Sequence, residues 1–137
     1  MKNYLMMSLF VLVCLSFVAV PLPSQAQSSS DMVMSVRTNT PTISAGGSVG
    51  VFAWVQNSSS SKVRATSWFT SLSPCGTETM ISGTAKFALN GGQGIQVTVG
   101  YPIPPDACAG IYAITFHVKT GGKNSAESTA TCYLEVK

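Results

Sequence analysis

The stretch GIYAITFHVKT, residues 110–120, places Tyr112, Ile114, Phe116 and Val118 on one side of an extended chain and Thr115, His117 and Lys119 on the other. Successive strand side chains point to opposite faces, so this is the pattern of a strand with one face buried and one wet. GIQVTVGY, residues 94–101, repeats it, with Ile95, Val97, Val99 and Tyr101 opposed to Gln96 and Thr98. Near the end of the chain Cys132, Leu134 and Val136 alternate with Tyr133 and Glu135. Each buried aliphatic or aromatic side chain contributes about 1.5–3 kcal/mol, enough for these three strands to carry much of a core.

Outward from these strands, glycine and proline cut the chain into seven β-rich runs: Met32 to Thr40, Ser48 to Asn57, Lys62 to Ser73, Thr77 to Leu89, Gly94 to Tyr101, Gly110 to Thr120 and Ala126 to Lys137. Gly46-Gly47, the serine-rich Asn57 to Ser61, Asn90-Gly91-Gly92 and Gly121-Gly122-Lys123 lie between them and suit tight turns or loops. No window has a helical period. Seven short strands at this spacing specify an all-β fold, a single seven-stranded antiparallel immunoglobulin-like sandwich over residues 31–137.

Residues 1–26 read as a signal peptide. Lys2 precedes an apolar run from Leu5 to Val20, followed by Pro21, Pro23 and a small-residue site ending at Ala26. The run is short for a membrane span and contains Ser8 and Ser16, and Val13 before Cys14 does not suit a lipobox. Cleavage after Ala26 leaves 111 of the 137 residues, with 27–30 as a flexible N-terminus, no later membrane span, and a secreted or periplasmic location. Loss of Lys2 lowers the formal net charge from +3 to +2. The basic residues from Arg37 to Lys137 are scattered along the chain, so nucleic acid is not expected as a partner.

Ile43-Ser44-Ala45-Gly46-Gly47-Ser48-Val49, Val55-Gln56-Asn57, Leu89-Asn90-Gly91-Gly92 and Ala109-Gly110-Ile111-Tyr112 resemble bacterial immunoglobulin-like and fibronectin-type domains, particularly the cell-adhesion-related domain of bacteria (CARDB). The resemblance covers most of residues 31–137. It implies a secreted or surface interaction module, and it reads Gly110-Ile111-Tyr112 as a tyrosine corner, with a buried ring whose hydroxyl reaches back to the backbone. The second strand has no cysteine, so the sheet-to-sheet bridge of antibody domains cannot form.

Export would place Cys75, Cys108 and Cys132 where disulfides persist. Two successive hairpins, third run to fourth and fourth to fifth, bring the turn at Cys75 and the loop at Cys108 to the same end of the sandwich, which predicts a Cys75–Cys108 bond. A turn at Gly83 dividing Thr77 to Leu89 would send Cys108 to the other end and forbid it. Cys132 alternates inward and is expected to be a buried, inert thiol. With no Cys-x-x-Cys pair and no group of acids, neither metal nor cofactor is expected.

Catalysis needs a nucleophile and base in reach, or facing carboxylates. His117 has no acid close by in sequence and reads as a solvated surface imidazole; Asp106 reads as a turn-stabilising residue. Asn57-Ser58-Ser59 matches a glycosylation acceptor. Aromatics are the best functional lead. Phe52 and Trp54 share one face of the second run against Val49, Val51, Ala53 and Val55, and both faces compete for the core. In the third run a core position for Trp68 is preferred, as immunoglobulin-like domains commonly bury a tryptophan there. With Val63, Ala65 and Phe69 inward, Trp68 instead points outward on the sheet that carries His117 and Tyr133.

The sequence therefore supports a non-enzymatic binding or structural module. Its expected partner is another envelope or extracellular protein, and its possible binding surface comprises Trp54, Trp68, His117 and Tyr133. The alternative is a carbohydrate-binding module, which needs at least two of Trp54, Trp68 and Tyr133 exposed and coplanar.

Overall fold

The computed structural model describes residues 25–27, 32–122 and 125–137. The expected signal peptide and flexible N-terminus lie mostly outside the described residues. Ten strand segments are present among those described: β1 (Gln25–Gln27), β2 (Met32–Thr38), β3 (Thr42–Ile43), β4 (Ser48–Asn57), β5 (Val63–Leu72), β6 (Glu78–Met80), β7 (Ala85–Leu89), β8 (Gly94–Pro102), β9 (Gly110–Thr120) and β10 (Glu127–Val136). They form an all-β sandwich. The smaller sheet has the order β2-β4-β8; the larger runs β1-β10-β9-β5-β6, with β7 also on β5 and β3 on β10.

The seven expected runs become ten segments for local reasons. Thr77 to Leu89 is interrupted at Ile81–Thr84, where the amide of Phe69 donates to the Ser82 hydroxyl, 3.0 Å, instead of to a strand partner. The chain does not turn back there. Thr70 pairs with Met80 and Ser67 with Ala85, so β6 and β7 are two stretches of one antiparallel partner of β5. The two remaining additions, β1 and β3, lie along β10, and β3 runs parallel to it, so the larger sheet is mixed rather than wholly antiparallel. The expected cleavage point after Ala26 falls inside β1.

Packing resolves the ambiguous strands. In β4, Val49, Val51, Ala53 and Val55 are buried, which turns Phe52 and Trp54 outward. In β5 the inward side chains are Ala65, Ser67, Phe69 and Ser71, and Phe69 packs on Phe116 of β9 with ring centroids 4.7 Å apart. Trp68 therefore points outward and is not in the core. Ile114, Phe116 and Val118 of β9 and Ala130 and Leu134 of β10 are fully buried, whereas Ile95, Val97 and Val99 are half-buried because β8 is an edge strand.

The two ends are tied differently. At one, Cys75 and Cys108 are disulfide-bonded and the Tyr112 hydroxyl donates to the Cys108 carbonyl, 2.8 Å, completing the tyrosine corner. Gly110 has φ +134°, and a Cβ there would lie 3.0 Å from Pro74, so this close crossing beside the disulfide requires glycine. At the other end the buried Asn57 amide donates to the carbonyls of Ser61 (2.7 Å) and Leu89 (3.1 Å). Its oxygen accepts from the Ser59 amide and hydroxyl. The nitrogen that a glycan would use is thus spent inside the fold, and the Asn57-Ser58-Ser59 match has a structural meaning instead.

Candidate functional site

Antiparallel register sets the outer face of the larger sheet. Directly paired residues share a face, so the outward positions of β5, β9 and β10 form rungs. One rung holds Thr66, Lys119 and Glu127, with Lys86 of β7 alongside; the next holds Trp68, His117 and Thr129. Then come Thr70, Thr115 and Thr131 with Met80, and Leu72, Ala113 and Tyr133 with Glu78.

At the centre the Trp68 indole and His117 imidazole are stacked, with centroids 5.0 Å apart and planes within 3°. His117 Nδ1 is 3.0 Å from Glu127 Oε1, and Nε2 is 2.8 Å from the Thr70 hydroxyl. A carboxylate can only accept, so Nδ1 carries a proton, and in the neutral ring Nε2 accepts from Thr70. His117 is 16% exposed, a ring fixed on three sides rather than a solvated imidazole. Sequence spacing hid its acid: Glu127 lies ten residues on, across the β9–β10 turn, and only the hairpin register brings it diagonally beside His117.

Hydroxyl, imidazole and carboxylate in this order is also the order of a nucleophile, its base and an orienting acid. Acyl transfer further requires N–H groups converging on a developing oxyanion. Thr70 lies within β5, paired to Met80 on one side and Thr115 on the other, and the preceding amide, of Phe69, is taken by the Ser82 hydroxyl. The array fits a rigid contact surface better than a reaction centre.

Among the described residues five large apolar side chains are left exposed, and three of them, Met80 (58%), Leu72 (48%) and Ile111 (45%), step diagonally across this face towards the disulfide end. Tyr133 lies beside them on the Leu72 rung, half-buried. Leu72, Met80 and Ile111 were missed in the sequence because each belongs to a different run. The signal available was their outward parity, readable once the register was known.

Trp54 is elsewhere. It is 42% exposed on the outer face of the smaller sheet, lying over Gly94 of β8, where a Cβ would come within 2.3 Å of its ring. Beside it the Arg37 guanidinium lies 4.7 Å from the Phe52 ring centroid. The expected binding surface is therefore split: Trp68, His117 and Tyr133 share one face, and Trp54 is on the opposite side of the sandwich. Asp106 is exposed and makes no side-chain hydrogen bond among the described residues.

Cys132 is buried and free, and burial pushes its thiol up to about 12. Among the described residues no three His, Cys, Asp or Glu side chains are grouped to hold a metal ion, and no helix is long and apolar enough to cross a membrane.

Comparison with solved structures places this architecture. The CARDB domain of a Pyrococcus furiosus protein, solved in complex with di-metal ions, superposes with a TM-score of 0.60 at 14% identity, covering 78% of this chain and 88% of that one. The fold is CARDB-like. The sporulation control protein Spo0M of Bacillus subtilis gives 0.60 at 11% identity over 80% of this chain, which spans half of that protein's length. The C-terminal domain of wzt gives 0.57 at 9% identity, covering 88% of this chain and 80% of that one. No family model and no curated protein matches the sequence. Identities this low relate folds alone, so the function of the CARDB-like domain is argued from its own surface.

Proposed function

We propose that this is an exported, non-enzymatic binding module that contacts another envelope or extracellular protein through the outer face of β5, β9 and β10. The observation that carries the reading is the exposed apolar row of Met80, Leu72 and Ile111, each diagonal to the next, beside Tyr133 and bordered by the hydroxyls of Thr70, Thr115 and Thr131. Apolar surface gathered in one place and rimmed by polar groups is a mark of protein contact sites. The disulfide and the amino-terminal sequence support export.

A carbohydrate-binding reading has less support. Two neighbouring open rings would be needed, yet Trp54 is on the opposite sheet, and one face of Trp68 is covered by His117. Trp68 and Tyr133 are two strands and four residues apart, about 16 Å by strand geometry.

The test is a photo-crosslinking residue placed at Leu72 and, as control, at Thr98 on the opposite face, in the producing cell. The expected result is a discrete protein adduct from position 72 alone. Equal labelling from both positions, or adducts from Thr98 alone, would overturn the reading.

A further inference from the structure

Cations that are scattered in sequence are gathered in the fold. Arg64, Lys86 and Lys119 line one open hollow of about 690 Å³ across β7, β5 and β9, together with Thr66 and Ser125. Thr66 is the direct pairing partner of both Lys86 and Lys119, so the two lysines flank it about 10 Å apart, and Arg64 stands about 7 Å further along β5. None of the three cations forms an ion pair or side-chain hydrogen bond among the described residues. Among the described residues no carboxylate lines the hollow; Glu127, the pairing partner of Lys119 at its edge, accepts from His117 Nδ1.

We propose that this hollow receives an acidic peptide segment of the partner protein, an inference that rests on the protein-contact reading above. Three like charges around one concavity, without an ion pair among the described residues, make a positive potential that favours an anionic ligand. The hollow is much larger than one small anion, and cations about 7–10 Å apart suit carboxylates spaced along an extended chain, where alternate side chains repeat at about 6.6–6.8 Å. An acidic glycan is less favoured, because its rings would need an open aromatic face. Phe87 is the aromatic residue lining the hollow, and it packs against the core. The hollow also lies on the same outer face as Leu72, at the opposite end, so one partner can span both.

The test uses the purified protein and a fluorescent ten-residue oligoglutamate, with binding read by anisotropy. Binding at 50 mM salt, weakened at least about tenfold at 500 mM, is expected. The Lys86→Gln/Lys119→Gln variant should bind at least about fivefold more weakly with an unchanged melting midpoint. No binding, or equal binding by the variant, would overturn the proposal. So would tighter binding of oligogalacturonate, which would indicate a glycan site, or full displacement by a few millimolar phosphate, which would indicate a small-anion site. If oligoglutamate binds as expected but position 72 yields no adduct, the apolar contact fails and the hollow stands. Adducts at position 72 without oligoglutamate binding give the reverse.

Discussion

The two ends of the sandwich solve the same problem with different chemistry. At one, β5 and β9 leave the fold through a disulfide, a tyrosine hydroxyl on a backbone carbonyl and a glycine packed on proline. At the other, a single buried asparagine ties the Ser58–Ser61 loop to the end of β7. The first tie depends on redox state; the second does not. The difference also maps onto the outer face, because the apolar cluster sits over the covalent end and the basic hollow over the asparagine end. Each proposed contact therefore has its own support, and each can be loosened separately.

The sharpest way to break the comparison is to remove the disulfide. Cys75 and Cys108 are 33 residues apart, and the Cys75→Ser/Cys108→Ser variant should lose about 4 kcal/mol in urea unfolding. Hydrogen exchange should rise first at Leu72 and Ile111 while Lys119 stays protected. A loss below about 1 kcal/mol would mean that this end is held by its packing alone. Next, Asn57→Ala strands two carbonyls and a loop amide and should destabilise by about 3 kcal/mol. Its exchange should rise around Ser61 and Leu89 instead, and uniform exchange across both ends would collapse the distinction. Smaller again, Tyr112→Phe removes one hydroxyl bond and should cost about 1–2 kcal/mol, less if the disulfide already fixes the carbonyl it meets.

A control lies on the inner face of β5 near the disulfide end. The Ser71 hydroxyl is buried without a partner among the described residues, so Ser71→Ala should stabilise by about 1 kcal/mol without moving the asparagine end. A loss of stability would show that the hydroxyl has a role that the static structure does not display. The smallest effect at neutral pH concerns Cys132. Burial pushes its thiol up to about 12, so its contribution is complete below about pH 9, where an unfolded thiol begins to ionise, and declines as pH rises towards 12. The folded protein should resist iodoacetamide at pH 8 and become labelled only on unfolding; rapid labelling of the native state would contradict the burial.

Much of this was legible in the sequence. The strict alternation of Tyr112 to Val118 and of Cys132 to Val136 gave correct faces, and hairpin logic paired Cys75 with Cys108. The interruption near Gly83 spared that logic because β6 and β7 keep the same direction on β5. Strand β5 was illegible for a physical reason. Its inner face carries Ala65, Ser67 and Ser71, and its outer face Trp68, so hydrophobicity points the wrong way; the Phe69–Phe116 contact and the outward stack on His117 decide it. Arg64, Lys86 and Lys119 belong to three separate runs, and only cross-strand register makes them neighbours.

The inward position of Cys132 has a consequence for the fidelity of oxidation. Of the four cysteines in the chain, Cys75, Cys108 and Cys132 lie in the sandwich and allow three bonds among themselves, two of them non-native. Cys132 lies opposite Ile114 in the β9–β10 hairpin, a local pairing. Pairing alone does not bury its sulfur; closure of the two sheets does, in about milliseconds to seconds for all-β folds, whereas disulfides form over seconds to hours. In the closed sandwich Cys132 is withdrawn from an oxidant, and the pair left accessible is Cys75 and Cys108.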